Sequence, residues 1–574
     1  MTTTTDPVVQ ELTAPGAAFE IVEEPVLGIP LRVYRERLRS LRDLVTTADA
    51  RVDVDFLVQG ERRLSCAEHN ALVRRVAAGL RQRGIGPGDR VALLSANNVE
   101  WVVLYWAAAS VGAVLVPLNA WWKAEELRFG LEDSGARLLF CDRRRWDVAR
   151  DIVGDLPGLE HVLVMDIDAP DGVARPGVEL LADDPGVLPE VEVAEDDLLA
   201  IMYTSGTTGR PKGATLTHRQ VLANLQNMFC LGVAAAKKGA AAPAPNAGPV
   251  QQTALLVVPL FHVTGCLSTM TLCYASGAKL VLMPPGRFDP DDAMATIERE
   301  RVTNIGGVPT IMWRLVDAPT FGKYDLSSVT RIGYGGAPAA PELVARIDEA
   351  FPSVRTTLST AYGLTETASI ASSLAGDDYL THPGSVGRPA PTVEIEVVDQ
   401  DGKPVPTGAT GEIWVRGPTV MLRGYWNRPD ANAEALTEDG WFRSGDIGRF
   451  DDDGFLYLVD RAKDMIIRGG ENVYCVEVEQ VLFEHPDVID AAVVGVAHRE
   501  LGEEVKAIVQ LRAGAAARAD DVRAFCAERL ASFKVPEHVE FRDEPLPRNP
   551  AGKVLKNLLR GDATAFAAAD DSAL

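Results

Sequence analysis

Between Ser65 and Cys141 two kinds of apolar pattern take turns, and that alternation constrains the fold more than any other feature of the chain. Ser65 and Glu68 have the spacing of a capping box, and Leu72, Val76 and Leu80 repeat on one helical face as far as Gly84. A Gly-Pro-Gly-Asp turn at 86–89 leads into the apolar run Val91–Ser95, short enough for a buried strand. A helical stretch from about Glu100, a strand at Val114–Pro117, a helix near 123–134 and a strand at Arg137–Cys141 follow. Strands alternating with helices predict parallel sheet covered by helices, an α/β fold.

At 574 residues the chain exceeds one ordinary core, so at least two domains are expected. A boundary falls near Asp460. Beyond it come a helix at about 476–484, strands near 489–496 and 505–511, and a helix near 519–530, a compact α+β unit of about a hundred residues. The expected division is an unstructured tail at 1–15, a large domain over 16–460, a small domain over 461–564 and a second tail at 565–574. The Ala/Pro/Gly-rich stretch 234–252 reads as a surface loop.

Acidic residues outnumber basic ones by 81 to 57, a formal charge of −24 that argues against general nucleic-acid binding and adsorption to anionic membranes. The start MTTTTDPVVQ lacks the pattern of a secretory signal, and no apolar run reaches membrane-spanning length. The seven cysteines are scattered with no C-x-x-C pair, and Ser572-Ala573-Leu574 is not a peroxisomal address. The expectation is a reduced cytoplasmic protein.

The segment Thr204–Gly213, TSGTTGRPKG, carries the first sign of chemistry. Glycines let a backbone approach a ligand closely, and successive N–H groups and hydroxyls then cradle anionic oxygens, with Lys212 adding a charge. The segment lacks Walker A spacing, and Gly552-Lys553 is followed by Val554. GYGGAP from Gly333 misses the dinucleotide fingerprint because Pro338 replaces its last glycine. A polyphosphate is the expected ligand, and a plain surface loop is the alternative.

Further strings follow in order: PLFHVTG at Pro259–Gly265, GGAP at Gly335–Pro338, AYGLTET at Ala361–Thr367, GEIWVRGP at Gly411–Pro418, GWFRSGDIG at Gly440–Gly448, DRAKDMIIRGGENVY at Asp460–Tyr474 and LPRNPAGKVLK at Leu546–Lys556. With the Gly/Thr loop they resemble the adenylate-forming superfamily of acyl-CoA synthetases, luciferases and peptide-synthetase adenylation domains, over about residues 60–560. The resemblance implies a large N-terminal domain of parallel sheets and helices and a small, mobile C-terminal α+β lid. It implies ATP, Mg²⁺ and coenzyme A as cofactor and co-substrates.

The resemblance also assigns roles. Thr204, Ser205, Gly206, Thr207, Thr208, Gly209 and Lys212 would hold the β- and γ-phosphates. Glu366 would ligate Mg²⁺ with Thr204 as a second contact, oxygen donors suited to a hard cation. Gly335, Gly336, Ala337, Tyr362, Gly363 and Thr365 would surround the purine, although a core tyrosine would read like Tyr362. Asp446 would accept from both ribose hydroxyls, and Arg461 would contact the nucleotide from the boundary. Lys553 would reach the acyl carboxylate and α-phosphate from the lid, and Lys463 would be the hinge. Gly469 and Gly470 would face incoming CoA, and Arg468 could meet one of its phosphates. Cys475 stands where such strings commonly have proline.

His262, Gly307, Tyr334 and Gly335 are expected at the acyl pocket, with Gly306 giving depth and Trp313 able to close it; His262 reads equally as a core histidine. Medium- or long-chain fatty acids are favoured, with aryl or branched acids, or loading of a separate carrier protein, as alternatives. A non-catalytic nucleotide-binding protein is the alternative of another class. Expected partners are a small carboxylic acid, ATP and CoA, with no nucleic acid and a homodimer left open. If Lys463 is the hinge, Lys463→Pro slows thioester formation from acyl-AMP more than it slows adenylation; equal loss of both would count against a hinge.

Overall fold

The structure, a computed structural model, describes residues 5–560 except 49–50, 52–53, 205–209, 240–250, 287, 336–340, 462–463, 469–470, 500, 513 and 550–552. One sheet has seven strands in the order Lys212–Thr217, Leu198–Thr204, Val114–Pro117, Arg90–Leu94, Leu138–Cys141, His161–Val164 and Arg175–Pro176, all parallel except the first pair. The helix Cys66–Gln82 begins at the expected box: Glu68 N–H donates to Ser65 Oγ at 3.2 Å and Ser65 N–H to Glu68 Oε2 at 2.8 Å.

A second sheet of thirteen strands has a parallel centre, in the order Ser359–Tyr362, Arg331–Gly335, Asn304–Gly307, Thr253–Leu256, Lys279–Leu282 and Asp55–Gln59. The helix Val99–Ser110 is apolar around its circumference, as a helix enclosed on every side must be. Its Trp101, Tyr105 and Trp106 are buried in one core cluster with Phe56 and Leu280 of this sheet and Val91 and Leu115 of the other.

Parallel order stops at Tyr362. Ser372–Ala375, Ser385–Pro389, Leu456–Arg461, Phe442–Phe450, Gly411–Arg416 and Glu394–Val398 extend the same sheet in antiparallel fashion, which the sequence reading did not anticipate. Links such as 451–455 are too short for the crossover that parallel neighbours require. The small domain is a five-stranded sheet of Ile466–Arg468, Glu471–Val473, Val488–His498, Gly502–Leu511 and His538–Arg542, packed by the helices Cys475–Phe483 and Ala519–Ala527. Among the described residues no helix is long and apolar enough to cross a membrane.

Two expectations about loose segments need correction. Residues 1–15 were expected to be unstructured, yet Pro7–Thr13 is a helix whose N-cap Asp6 accepts from the N–H groups of Val8 and Val9. Val9 and Leu12 bury against Tyr34, Cys230 and Ala234, and Lys238 Nζ meets Asp6 at 2.5 Å. An apolar pair at this spacing had too few neighbours in sequence to signal a helix. The stretch 234–252 starts inside the helix His218–Lys237, and its residues 240–250 lie outside the described residues. Tail residues 565–574 lie outside them as well. Deleting residues 1–15 should remove the burial of two aliphatic side chains, about 3 kcal/mol, and lower the unfolding temperature in calorimetry; an unchanged temperature would make the helix an ornament.

Candidate active site

In open α/β sheets ligands gather at the carboxyl ends of parallel strands. Here both sheets direct those ends to one place. Asn97, just beyond Arg90–Leu94, donates from Nδ2 to Val258 O at 2.9 Å and accepts the Leu260 N–H at 2.8 Å, just beyond Thr253–Leu256 of the other sheet. Gly307, Gly335 and Tyr362 end three successive strands of the larger sheet, and Thr204 ends a strand of the smaller.

Thr204 and Lys212, which flank the Gly/Thr segment, face each other across an antiparallel pair, so the two strands form a hairpin. Ser205, Gly206, Thr207, Thr208 and Gly209 lie outside the described residues. Thr204 Oγ1 gives its proton to Lys212 O at 3.2 Å, which leaves its lone pairs for a cation. Lys212 extends its Nζ over the ring of Tyr425, 5.3 Å from the centroid.

Tyr425 belongs to a segment laid against the hairpin. Trp426 N–H donates to Gly213 O at 2.8 Å, and Thr215 Oγ1 donates to Gly424 O at 2.5 Å. Gly424 has φ +73°, and a Cβ there would stand 2.4 Å from Asn432 Cγ, so glycine is required. Asn432 in turn holds Tyr425 on both backbone groups, accepting its N–H at 2.6 Å and donating to its carbonyl at 3.1 Å.

The Tyr425 hydroxyl donates to Glu366 Oε1 at 2.8 Å. Burial raises the Glu366 carboxyl above its ordinary value, against the lowering effect of Tyr425, and no Lys or Arg pairs with it among the described residues. A half-buried carboxylate with no ion-pair partner among the described residues suits a cation ligand. Among the described residues no cluster of three His, Cys, Asp or Glu could hold a metal by itself. That fits Mg²⁺, which takes one or two protein oxygens and leaves other positions to phosphate and water.

Asp446 and Arg461 are register partners on Phe442–Phe450 and Leu456–Arg461, with Arg461 Nε 3.1 Å from Asp446 Oδ1. The other carboxylate oxygen accepts from Tyr362 O–H at 2.8 Å, and both Tyr362 and Asp446 are buried. Tyr362 thus lies at the site and is also a member of a core cluster. Gly363 follows it because the chain recrosses there: a Cβ would meet Ser369 O at 1.4 Å. Thr365 opens the short turn that carries Glu366. Gly335 pairs with Ala361 on the neighbouring strand, whereas Gly336 and Ala337 lie outside the described residues.

At the expected acyl pocket the residues divide. A Cβ on Gly306 would meet nothing within 4 Å, so open space adjoins this strand end, while one on Gly307 would stand 3.2 Å from Val257. His262 lies against Phe261, which itself meets Trp121 with centroids 5.1 Å apart. Burial drops the His262 imidazole to about 4, so it is neutral near pH 7. Tyr334 is misplaced by the sequence reading. Alternation along Arg331–Gly335 turns it with Ile332 into the apolar core, where its hydroxyl pairs with that of Tyr379 and Trp313 packs nearby.

The lid residues form their own frame. Lys553 N–H donates to Asn549 Oδ1 at 2.9 Å, and Arg548 holds Asp490 at 2.6 Å. Arg468 is committed to buried Glu504, Nε to Oε1 2.5 Å, so its first duty is to neutralise that carboxylate rather than to meet CoA. Lys463, Gly469 and Gly470 lie outside the described residues. Before Lys463, buried Asp460 accepts the N–H of Arg461 at 2.7 Å and that of Cys475, a bond proline could not give. Tyr425 and Asn432 escaped sequence reading. Their string follows GEIWVRGP directly, but nothing in it reveals that Tyr425 lands on a carboxylate 59 residues away.

The "AMP-binding enzyme" family profile matches residues 44–426, and "AMP-binding enzyme C-terminal domain" matches 477–553. A feruloyl-CoA synthase of Amycolatopsis sp is 38% identical over 506 residues, 87% of this chain and 94% of that one. A long-chain-fatty-acid–CoA ligase of Mycobacterium tuberculosis is 37% identical over 502 residues, 87% of this chain and 93% of its own length. The crystal structure of ATP-bound MatB from Rhodopseudomonas palustris superposes with TM-score 0.79 at 30% identity, covering 92% of this chain and 99% of that one.

Burial lifts the Asp460 carboxyl from 3.8 to about 6. Between those values the folded chain holds a proton that the unfolded chain has released. The contribution of this group to stability is therefore full below about pH 4 and is lost as pH rises through 6, by about 2–3 kcal/mol. In denaturant unfolding from pH 4 to 7, Asp460→Asn should lack this decline; a wild-type-like profile in the variant would assign it to another group.

Proposed function

The chain belongs to the AMP-binding, adenylate-forming enzymes and is an ATP-dependent acid–thiol ligase that uses Mg²⁺ and CoA; from that premise we propose how its residues divide the work and which acid they take. The carboxylate of the acid attacks the α-phosphorus of ATP, a P–O bond forms, and the α–β bridge breaks to release pyrophosphate. The thiol of CoA, its proton passed to solvent, then attacks the acyl carbonyl and expels AMP as the thioester forms. The first step brings an anion to a polyanion, so positioning and charge neutralisation dominate its catalysis.

The observation that carries this assignment is that one tyrosine side chain meets both Lys212, at the mouth of the Gly/Thr hairpin, and Glu366, which has no ion-pair partner among the described residues. The hairpin holds the β- and γ-phosphates; Glu366 and Thr204 hold Mg²⁺, which offsets their charge. Asp446 accepts from the ribose, with Arg461 beside it. Lys553 arrives with the lid (461–564), which turns about Lys463 against the large domain (16–460), and neutralises the reacting carboxylate and α-phosphate. After rotation the Gly469–Gly470 face meets CoA.

For the acid, a medium- or long-chain fatty acid is the first reading, supported by the open space beside Gly306 and the long-chain relative. An aryl acid is the second. The Trp121–Phe261–His262 ring contacts and the feruloyl-CoA synthase favour it, and apolar pockets separate such acids by only about 1–3 kcal/mol per methylene.

Two measurements test the proposal. Pyrophosphate and AMP release across fatty, aryl and branched acids, with and without CoA, should show CoA-dependent turnover with one class; exchange indifferent to CoA would point to a carrier protein, and silence to a non-enzyme. Lys553→Ala should lower adenylation by at least about a hundredfold while sparing thioester formation from preformed acyl-AMP, and wild-type-like adenylation would remove Lys553 from the site.

A further inference from the structure

Tyr425 touches both charged ends of the phosphate site with different parts of one side chain. Its O–H donates to Glu366 Oε1 at 2.8 Å, and its ring face carries Lys212 Nζ at 5.3 Å. It is buried, its backbone is clasped by Asn432, and its neighbours Gly424 and Trp426 are hydrogen-bonded to the hairpin strand. Met421 N–H also donates to Glu366 O at 2.9 Å, so the same segment fixes the glutamate backbone. A phenylalanine would fill the core equally well. The hydroxyl is therefore the feature that needs a reason, because a buried O–H is desolvated unless it has a partner.

We infer that Tyr425 is a positioning residue for the metal: its hydroxyl fixes one Glu366 oxygen so that the carboxylate presents its remaining lone pairs to the cation, while its ring sets Lys212 at a fixed distance for the phosphates. The inference rests on the reading of Glu366 as the Mg²⁺ ligand. Groups that orient a ligating carboxylate commonly change metal affinity by 10–100-fold when removed. The two halves of the side chain should separate: the hydroxyl governs the metal and the ring governs the nucleotide.

The test uses the full-length protein, Mn²⁺ as probe and α,β-methylene-ATP, whose methylene α–β bridge cannot be cleaved, so no acyl-AMP forms. Free Mn²⁺ is read by electron paramagnetic resonance, and binding of metal-free nucleotide by calorimetry. Tyr425→Phe should weaken Mn²⁺ binding by about tenfold yet keep metal-free nucleotide binding within about twofold, because Lys212 still has a ring. Tyr425→Leu should weaken both. Glu366→Gln should weaken Mn²⁺ binding by itself, and adding Tyr425→Phe to it should have little further effect, since the hydroxyl acts through that carboxylate. A merely structural tyrosine would lower the unfolding temperature without this separation, and additive losses in the double variant would overturn the inference. Wild-type Mn²⁺ affinity in Tyr425→Phe, with Glu366→Gln impaired, would overturn it alone. Unchanged affinity in Glu366→Gln would remove the reading of the metal site and the inference with it.

Discussion

The backbone contact between Gly213–Thr215 and Gly424–Trp426 is the joint on which the site depends. The first segment is the edge of the seven-stranded sheet, and the second leaves the antiparallel half of the larger sheet. This bridge adds a direct tie between the hairpin that carries Lys212 and the segment that holds the Glu366 backbone, beyond the Asn97 link and the shared core that join the two sheets. The bridge works because Gly424 takes a left-handed φ and Asn432 secures the backbone beside it. Such a local constraint fixes how the two sheets meet at this end of the cleft.

Around that cleft the protein accommodates buried carboxylates in several ways. Asp446 has a tyrosine and an arginine. Glu504 has Arg468, and Asp460 has two backbone N–H groups with its carboxyl pushed toward neutrality. Half-buried Glu366 has a tyrosine and, among the described residues, no ion-pair partner, only the more distant pull of Arg461, which leaves it open to a charge brought from outside. Uncompensated buried charge is expensive, so this asymmetry points to ligand binding more strongly than the negative charge of the whole chain argues against it.

The antiparallel extension explains how the lid is attached. Leu456–Arg461 pairs with Phe442–Phe450, so Asp446 and Arg461 are neighbours on the last strands of the large sheet before the small domain. In the small domain Lys553 N–H donates to Asn549 Oδ1, and the neighbouring Arg548 is held by its ion pair with Asp490.

Much of this was legible before any coordinates. Capping-box spacing at Ser65 and Glu68, strand-length apolar runs and the ordered strings from Thr204 to Lys556 determined the α/β class and the family, because those features depend on local periodicity and short-range chemistry. Tyr334 went wrong because a strand's two faces look alike in sequence until the register shows which one is the core. The N-terminal helix went unread because its stability comes from Tyr34, Cys230 and Ala234, all distant in the chain. Tyr425 required the tertiary structure most of all. Its partners lie 59 residues before it and across a different sheet, and only the folded chain brings a hydroxyl, a carboxylate and an ammonium group together around one ring.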